Sequence, residues 1–189
     1  MSELLLLEPS QVLAEIAVML DARQIQYFLA GSFASGMRGE FRATNDVDLV
    51  CRFSSAAVPG FLEAARTAFY CDELSIPRAV QEEASFNIIH KQTFVKVDFF
   101  TKLGALEVDQ FARATKCLIP GTNSCICVST TEYNIIAKLR WYEMSNRQLE
   151  RQLGDVRAMV EINRDSLDRE YLSHWAPVVG VAKLLEELL

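Results

Sequence analysis

Histidine is scarce in this sequence: only His90 and His174 occur, in unrelated contexts, so a histidine-based hydrolase has no support. The Gly-x-x-x-x-Gly-Lys-Ser/Thr pattern of a kinase-like P-loop is missing. So is the Gly-x-Ser-x-Gly elbow of a serine hydrolase. The apolar run that opens the chain, Leu4-Leu5-Leu6-Leu7, is flanked by Glu3 and Glu8 and is far too short to span a bilayer. It also lacks a basic segment and a cleavage site, so the expectation is a cytoplasmic protein with no membrane contact. Basic residues are outnumbered, 19 Lys and Arg against 25 Asp and Glu, giving a formal charge of −6. The surface as a whole therefore repels nucleic acid, which argues against a non-specific DNA coat, although a local basic patch could override the average. The cysteines are odd in number, five, and Cys125-x-Cys127 does not match the common zinc spacings. Buried reduced thiols are expected. No repeat or low-complexity segment is visible.

What the chain does have is enough apolar residue to bury a proper core. Half of its 189 residues are hydrophobic and 23% are charged, which suits one globular domain with a helical appendage. Tyr27–Ala30 reads as a buried strand, broken sharply by Gly31-Ser32. A short helical turn over Phe33 to about Met37 would leave backbone N–H groups beside Ser32. A polar loop then leads to a second strand, Asp46-Val47-Asp48-Leu49-Val50, by its β-branched content. Side chains alternate along a strand, so Asp46 and Asp48 share one face, about 6–7 Å apart. Two carboxylates so placed repel each other unless a cation lies between them, and hard oxygen ligands suit Mg2+ or Mn2+. The alternative is a polar hairpin whose aspartates are simply solvated.

An apolar strand, Gly-Ser, a gap and Asp-x-Asp with apolar neighbours resemble the nucleotidyltransferase superfamily that includes DNA polymerase β. Arg42-x-Thr44-x-Asp46-Val47-Asp48-Leu49 looks more narrowly like a bacterial subgroup containing abortive-infection toxin nucleotidyltransferases. The resemblance implies an α+β nucleotidyltransferase fold, a mixed β-sheet flanked by helices, with a C-terminal helical cap. The layout suits it: a sheet domain over residues 1–129 and a helical region over 130–189 packed on it.

In chain order, Ser10 is a plausible N-cap for a helix through about Gln24, with Val12, Ile16, Val18, Met19 and the intervening Leu13 supplying its apolar stripe. Pro59 marks a helix start, and Phe61, Leu62, Ala65 and Phe69 recur at helical spacing. Phe86–His90 and Phe94–Phe100 form two strands around a tight turn at Lys91-Gln92-Thr93. In the second, Phe94, Lys96, Asp98 and Phe100 share a face. Asp98 is then a carboxylate inside a mostly apolar strand, and burial there requires a partner. A helix follows from about Leu103, then short strands at 116–119 and 125–128. Thr130 or Thr131 caps a helix through about Met144, with Lys138 at the edge of its apolar stripe. Further helices are expected at about 146–163, 167–175 and 181–189, the last two separated by Pro177 and Gly180. Asp155 lies off the apolar stripe with Arg151 one turn earlier, and reads as an ordinary surface ion pair.

The resemblance carries roles onto these residues. Asp46 and Asp48 would be metal ligands and Asp98 the third, all three catalytic. Gly31, Ser32, Arg42, Thr44 and Lys138 would bind the nucleotide or brace its loop. The implied reaction moves NMP from an NTP, ATP or another, to an acceptor hydroxyl, with two Mg2+ or Mn2+ ions clamping the attacking and leaving oxygens. Toxin-like relatives imply tRNA or protein as acceptor, and a toxin–antitoxin partner. A small molecule such as an aminoglycoside is the alternative, and the acidic balance leans toward a small cationic acceptor. A catalytically silent nucleotide-binding or interaction module is the reading from another class. The full carboxylate set argues against it.

Overall fold

The period-two pattern of the strands places one apolar set on each side of a sheet. The protein is described by a computed structural model covering residues 4–39 and 44–189. Its strands are β1 (Gln26–Ala30), β2 (Asp46–Arg52), β3 (Phe69–Tyr70), β4 (Phe86–His90), β5 (Lys96–Phe100), β6 (Thr115–Leu118) and β7 (Cys125–Val128). They form one seven-stranded sheet in the order β3-β4-β5-β2-β1-β7-β6. β2 runs parallel to β5 and β1 parallel to β7, while the remaining neighbours are antiparallel. The class is α+β, with a mixed sheet flanked by helices.

Val47, Leu49 and Cys51 of β2, Leu29 of β1, and Val97 and Phe99 of β5 all enter one core. Over them lie α1 (Leu4–Asp21), α3 (Val58–Ala68) and α4 (Ser75–Gln81), through Leu13, Ile16, Phe61 and Ile76. Phe86 and Phe99 stack at 4.8 Å between ring centres within this layer. Side chains of this size contribute about 1.5–3 kcal/mol each when fully buried.

The opposite face is divided. Its apolar part, Phe28 and Ala30 of β1 and Val50 of β2, packs beneath α5 (Ala105–Arg113), α6 (Thr131–Met144), α7 (Glu150–Asn163), α8 (Arg169–Val179) and α9 (Ala182–Glu186). Two of these helices start on side-chain caps, Thr130 accepting from Tyr133 N and Asp168 from Tyr171 N. The other part of that face carries Asp46, Asp48, Lys96 and Asp98, which have the same strand parity as Val50 and Phe100.

Several boundaries differ from the sequence reading. Helix α1 runs through Pro9, so Ser10 is buried within it instead of capping it. β5 begins at Lys96, because Phe94 takes a positive φ of 58° and joins the turn. Asn146 and Arg147, with φ of 52° and 62°, delay α7 to Glu150. Pro177 lies inside α8, which ends at Gly180 in the left-handed conformation. None of the helices among the described residues is long and apolar enough to cross a membrane.

Candidate active site

The pairing of β2 with β5 sets Asp46 directly opposite Lys96 and Asp48 directly opposite Asp98. Four charged residues thus occupy the corners of a square, with strands about 4.8 Å apart and corners along each strand about 6–7 Å apart. The Lys96 ammonium donates to Asp98 Oδ2 at 2.8 Å and stands 4.0 Å from Asp46 Oδ1.

Beside the square, β1 ends at Ala30, opposite Asp48, and the chain turns at once into α2 (Gly31–Met37). Gly31 has a φ of +67°, and a Cβ there would collide with Oδ2 of Asp48 and lie 2.7 Å from its Cγ. Glycine is needed at this point twice, for the backbone angle and for the room. Ser32 follows, and Lys138 reaches it from α6: its ammonium lies 3.4 Å from Ser32 Oγ, 2.6 Å from Asp155 Oδ2 and 3.4 Å from Gln152 Oε1. Thr44 precedes β2, where its Oγ1 accepts from the Asp46 amide at 3.3 Å and so fixes the entry of the strand.

No protein-family model matches this chain, and no curated protein matches it. Solved structures do. One is an antigenic nucleotidyltransferase-like protein from Paracoccidioides brasiliensis, with a TM-score of 0.55 and 16% identity over 92% of this chain and 90% of that one. Another is the antibiotic-resistance factor ANT(2'')-Ia, with a TM-score of 0.55 and 14% identity over 95% of both chains. This is a nucleotidyltransferase-like fold.

Within that fold, Asp48 is the carboxylate of the square whose charge its surroundings disfavour. Burial, then the neighbouring Asp98 and Asp46 charges, push its carboxyl up to about 6, against the opposing pull of Lys138 and Lys96. Asp48 has no hydrogen-bond or ion-pair partner among the described residues. The hydrogen bond to Asp98 raises the Lys96 ammonium above the ordinary lysine range, partly offset by desolvation. A partly buried, unpartnered carboxylate with two more beside it is a donor set that fits a hard divalent cation. Even so, no three His, Cys, Asp or Glu side chains among the described residues are grouped closely enough to hold a metal ion together. Lys96 holds the Asp98 carboxylate in a 2.8 Å ion pair.

The nucleotidyltransferase-like fold therefore brings Gly31, Ser32, Asp46, Asp48, Asp98 and Lys138 to one corner of the sheet, with Thr44 at its entry. Arg42 lies outside the described residues. Asp155 is a correction: it is no ordinary surface ion pair, since its side chain is 13% exposed and closes on the still more buried Lys138. The sequence reading also left Lys96 out of the site. Its signal was present in the alternation that put Lys96 on the face of Asp98, but its contact with Asp46 depends on which strand lies alongside.

Proposed function

We propose that this protein is a metal-dependent nucleotidyltransferase that moves NMP from an NTP to an acceptor hydroxyl. The observation that carries the reading is the convergence of Asp46, Asp48 and Asp98 beside a buried Lys138 and Ser32, on a nucleotidyltransferase-like fold. In the reaction the acceptor oxygen bonds to the α-phosphorus, the α–β bridging P–O bond breaks, and pyrophosphate leaves. Mg2+ or Mn2+ bound by Asp46 and Asp48, with Asp98 beside them, would supply charge neutralisation at the phosphates. Ser32 donates its hydroxyl hydrogen to a phosphate oxygen, and the Lys138 ammonium adds positive charge at the same place. Asp98 accepts the proton of the attacking hydroxyl. Gly31 keeps the turn open for Asp48, and Thr44 braces the start of β2.

Two acceptor classes follow. A toxin-type enzyme would act on tRNA or protein in the cytoplasm and would be held in check by an antitoxin partner. The second reading is a small cationic acceptor of the aminoglycoside kind, favoured by the net charge of −6 and by the likeness to an antibiotic-resistance factor. Labelled NTPs with Mg2+ or Mn2+, offered in turn to total RNA, total protein and aminoglycosides, test both. Label transfer that disappears in Asp48→Asn is the expected result. Transfer unaffected by Asp48→Asn would remove this site from the chemistry, and NTP binding without transfer to any acceptor class would point to a silent module.

A further inference from the structure

We propose that Lys96 is a built-in cation standing in for one of two metal ions, so that the site loads a single divalent ion. The inference rests on Asp46, Asp48 and Asp98 being metal ligands and sharpens that reading. Lys96 is anchored at the fourth corner of the square, opposite Asp46 and two residues before Asp98. Its ammonium occupies the gap between those two carboxylates, 2.8 Å from Asp98 Oδ2 and 4.0 Å from Asp46 Oδ1. A cation shared by Asp46 and Asp98 would have to lie in that same gap, at about 2.0–2.1 Å from its oxygens if it were Mg2+. The ammonium and that ion exclude each other.

Charge balance points the same way. Three carboxylates against one ammonium leave two negative charges over, which one divalent ion neutralises. A second ion would leave the square positive and would repel the first. It would also have to shed water, which Mg2+ does reluctantly, and break a charge-assisted hydrogen bond that is already made. A tethered ammonium needs neither step. The remaining place for an ion is at Asp48, the one carboxylate of the three without an ion-pair partner among the described residues.

Titration with Mn2+ alone, following the free ion by electron paramagnetic resonance, counts the sites without any need for substrate or activity. Wild type is expected to bind one Mn2+ per chain, and Lys96→Met to bind two. Lys96→Arg keeps the charge and should stay at one. Should Lys96→Met not fold by circular dichroism, Lys96→Gln serves as the neutral variant, with the same expectation of two. Two ions on wild type, or one on a folded neutral variant, would overturn the substitution of lysine for metal while leaving the nucleotidyltransferase reading intact. No bound Mn2+ on any variant would overturn both. A lysine that merely steadied the strand would change melting temperature and leave the count at one throughout.

Discussion

The carboxylate of Asp48 rests against the bare Cα of Gly31, with no room for a side chain between them. Gly31→Ala should therefore do more harm than a left-handed alanine alone, which costs about 1–2 kcal/mol. The Asp48 carboxylate must also be pushed aside, so the variant should lose metal-dependent stabilisation as well as melting temperature. Gly36→Ala is the matched control, since a Cβ there meets nothing within 4 Å. In the same short helix that change should be neutral or stabilising by up to about 1 kcal/mol. Equal melting temperatures for the two alanine variants would refute the close approach.

Asp48 should make the metal-free protein less stable as pH rises. Its folded carboxyl titrates at about 6, above the ordinary carboxylate range, so the folded state holds the proton more tightly than the unfolded one. The stabilisation from that proton is complete below about pH 4 and is lost as pH rises through about 6. The loss is about 3 kcal/mol at most. Asp48→Asn should flatten the pH dependence of the melting temperature over this window and melt higher than wild type at pH 8 without metal. A variant that keeps the wild-type slope would place the shifted group elsewhere.

Mg2+ or Mn2+ with NTP should raise the melting temperature of wild type, because a ligand that binds only the folded state stabilises it by mass action. Asp46→Asn, Asp48→Asn and Asp98→Asn should each shrink that rise while abolishing transfer. If these aspartates only held the turn, each variant would instead be destabilised by about 1–3 kcal/mol and would respond to metal as wild type does. Melting curves in four conditions, with and without each ligand, separate the two.

Lys138→Met should be costly for the fold as well as for nucleotide binding. It takes from Asp155 a buried ion-pair partner 2.6 Å away. Breaking one side of such a pair costs about 3–5 kcal/mol, whereas replacing both sides with apolar groups is often neutral. The double variant Lys138→Met, Asp155→Leu should then recover most of the lost stability in urea melts. It should not recover affinity for the NTP, measured by calorimetry with Mg2+.

Local alternation made much of this molecule legible. Val47, Leu49 and Cys51 opposite Asp46 and Asp48, and Val97 and Phe99 opposite Asp98, could be assigned faces from spacing alone. Gly31-Ser32 marked its turn by composition, and Thr130 its helix start. Contacts between distant segments were not legible. Lys96 meets Asp46 across fifty residues of sequence, through a strand pairing that no local pattern encodes. Asp155 was paired with Arg151 because only neighbours one helical turn away can be seen in a sequence. Lys138, with which it pairs, lies on another helix. Backbone angles of Phe94, Asn146 and Arg147 were missed because non-glycine residues rarely take positive φ.

The parallel alignment of β2 and β5 has a consequence for assembly. A slip by one position would move every side chain of one strand to the other side of the sheet, setting aspartates among Leu29, Leu49 and Phe61. The error would bury charge in an apolar layer and expose valine and phenylalanine, so it is rejected by the same forces that close the hydrophobic layer. Correct docking of these two strands therefore completes the core and the acidic corner in one event. A population that has folded its sheet has, by that fact, built its site, and proofreading of the one serves as proofreading of the other.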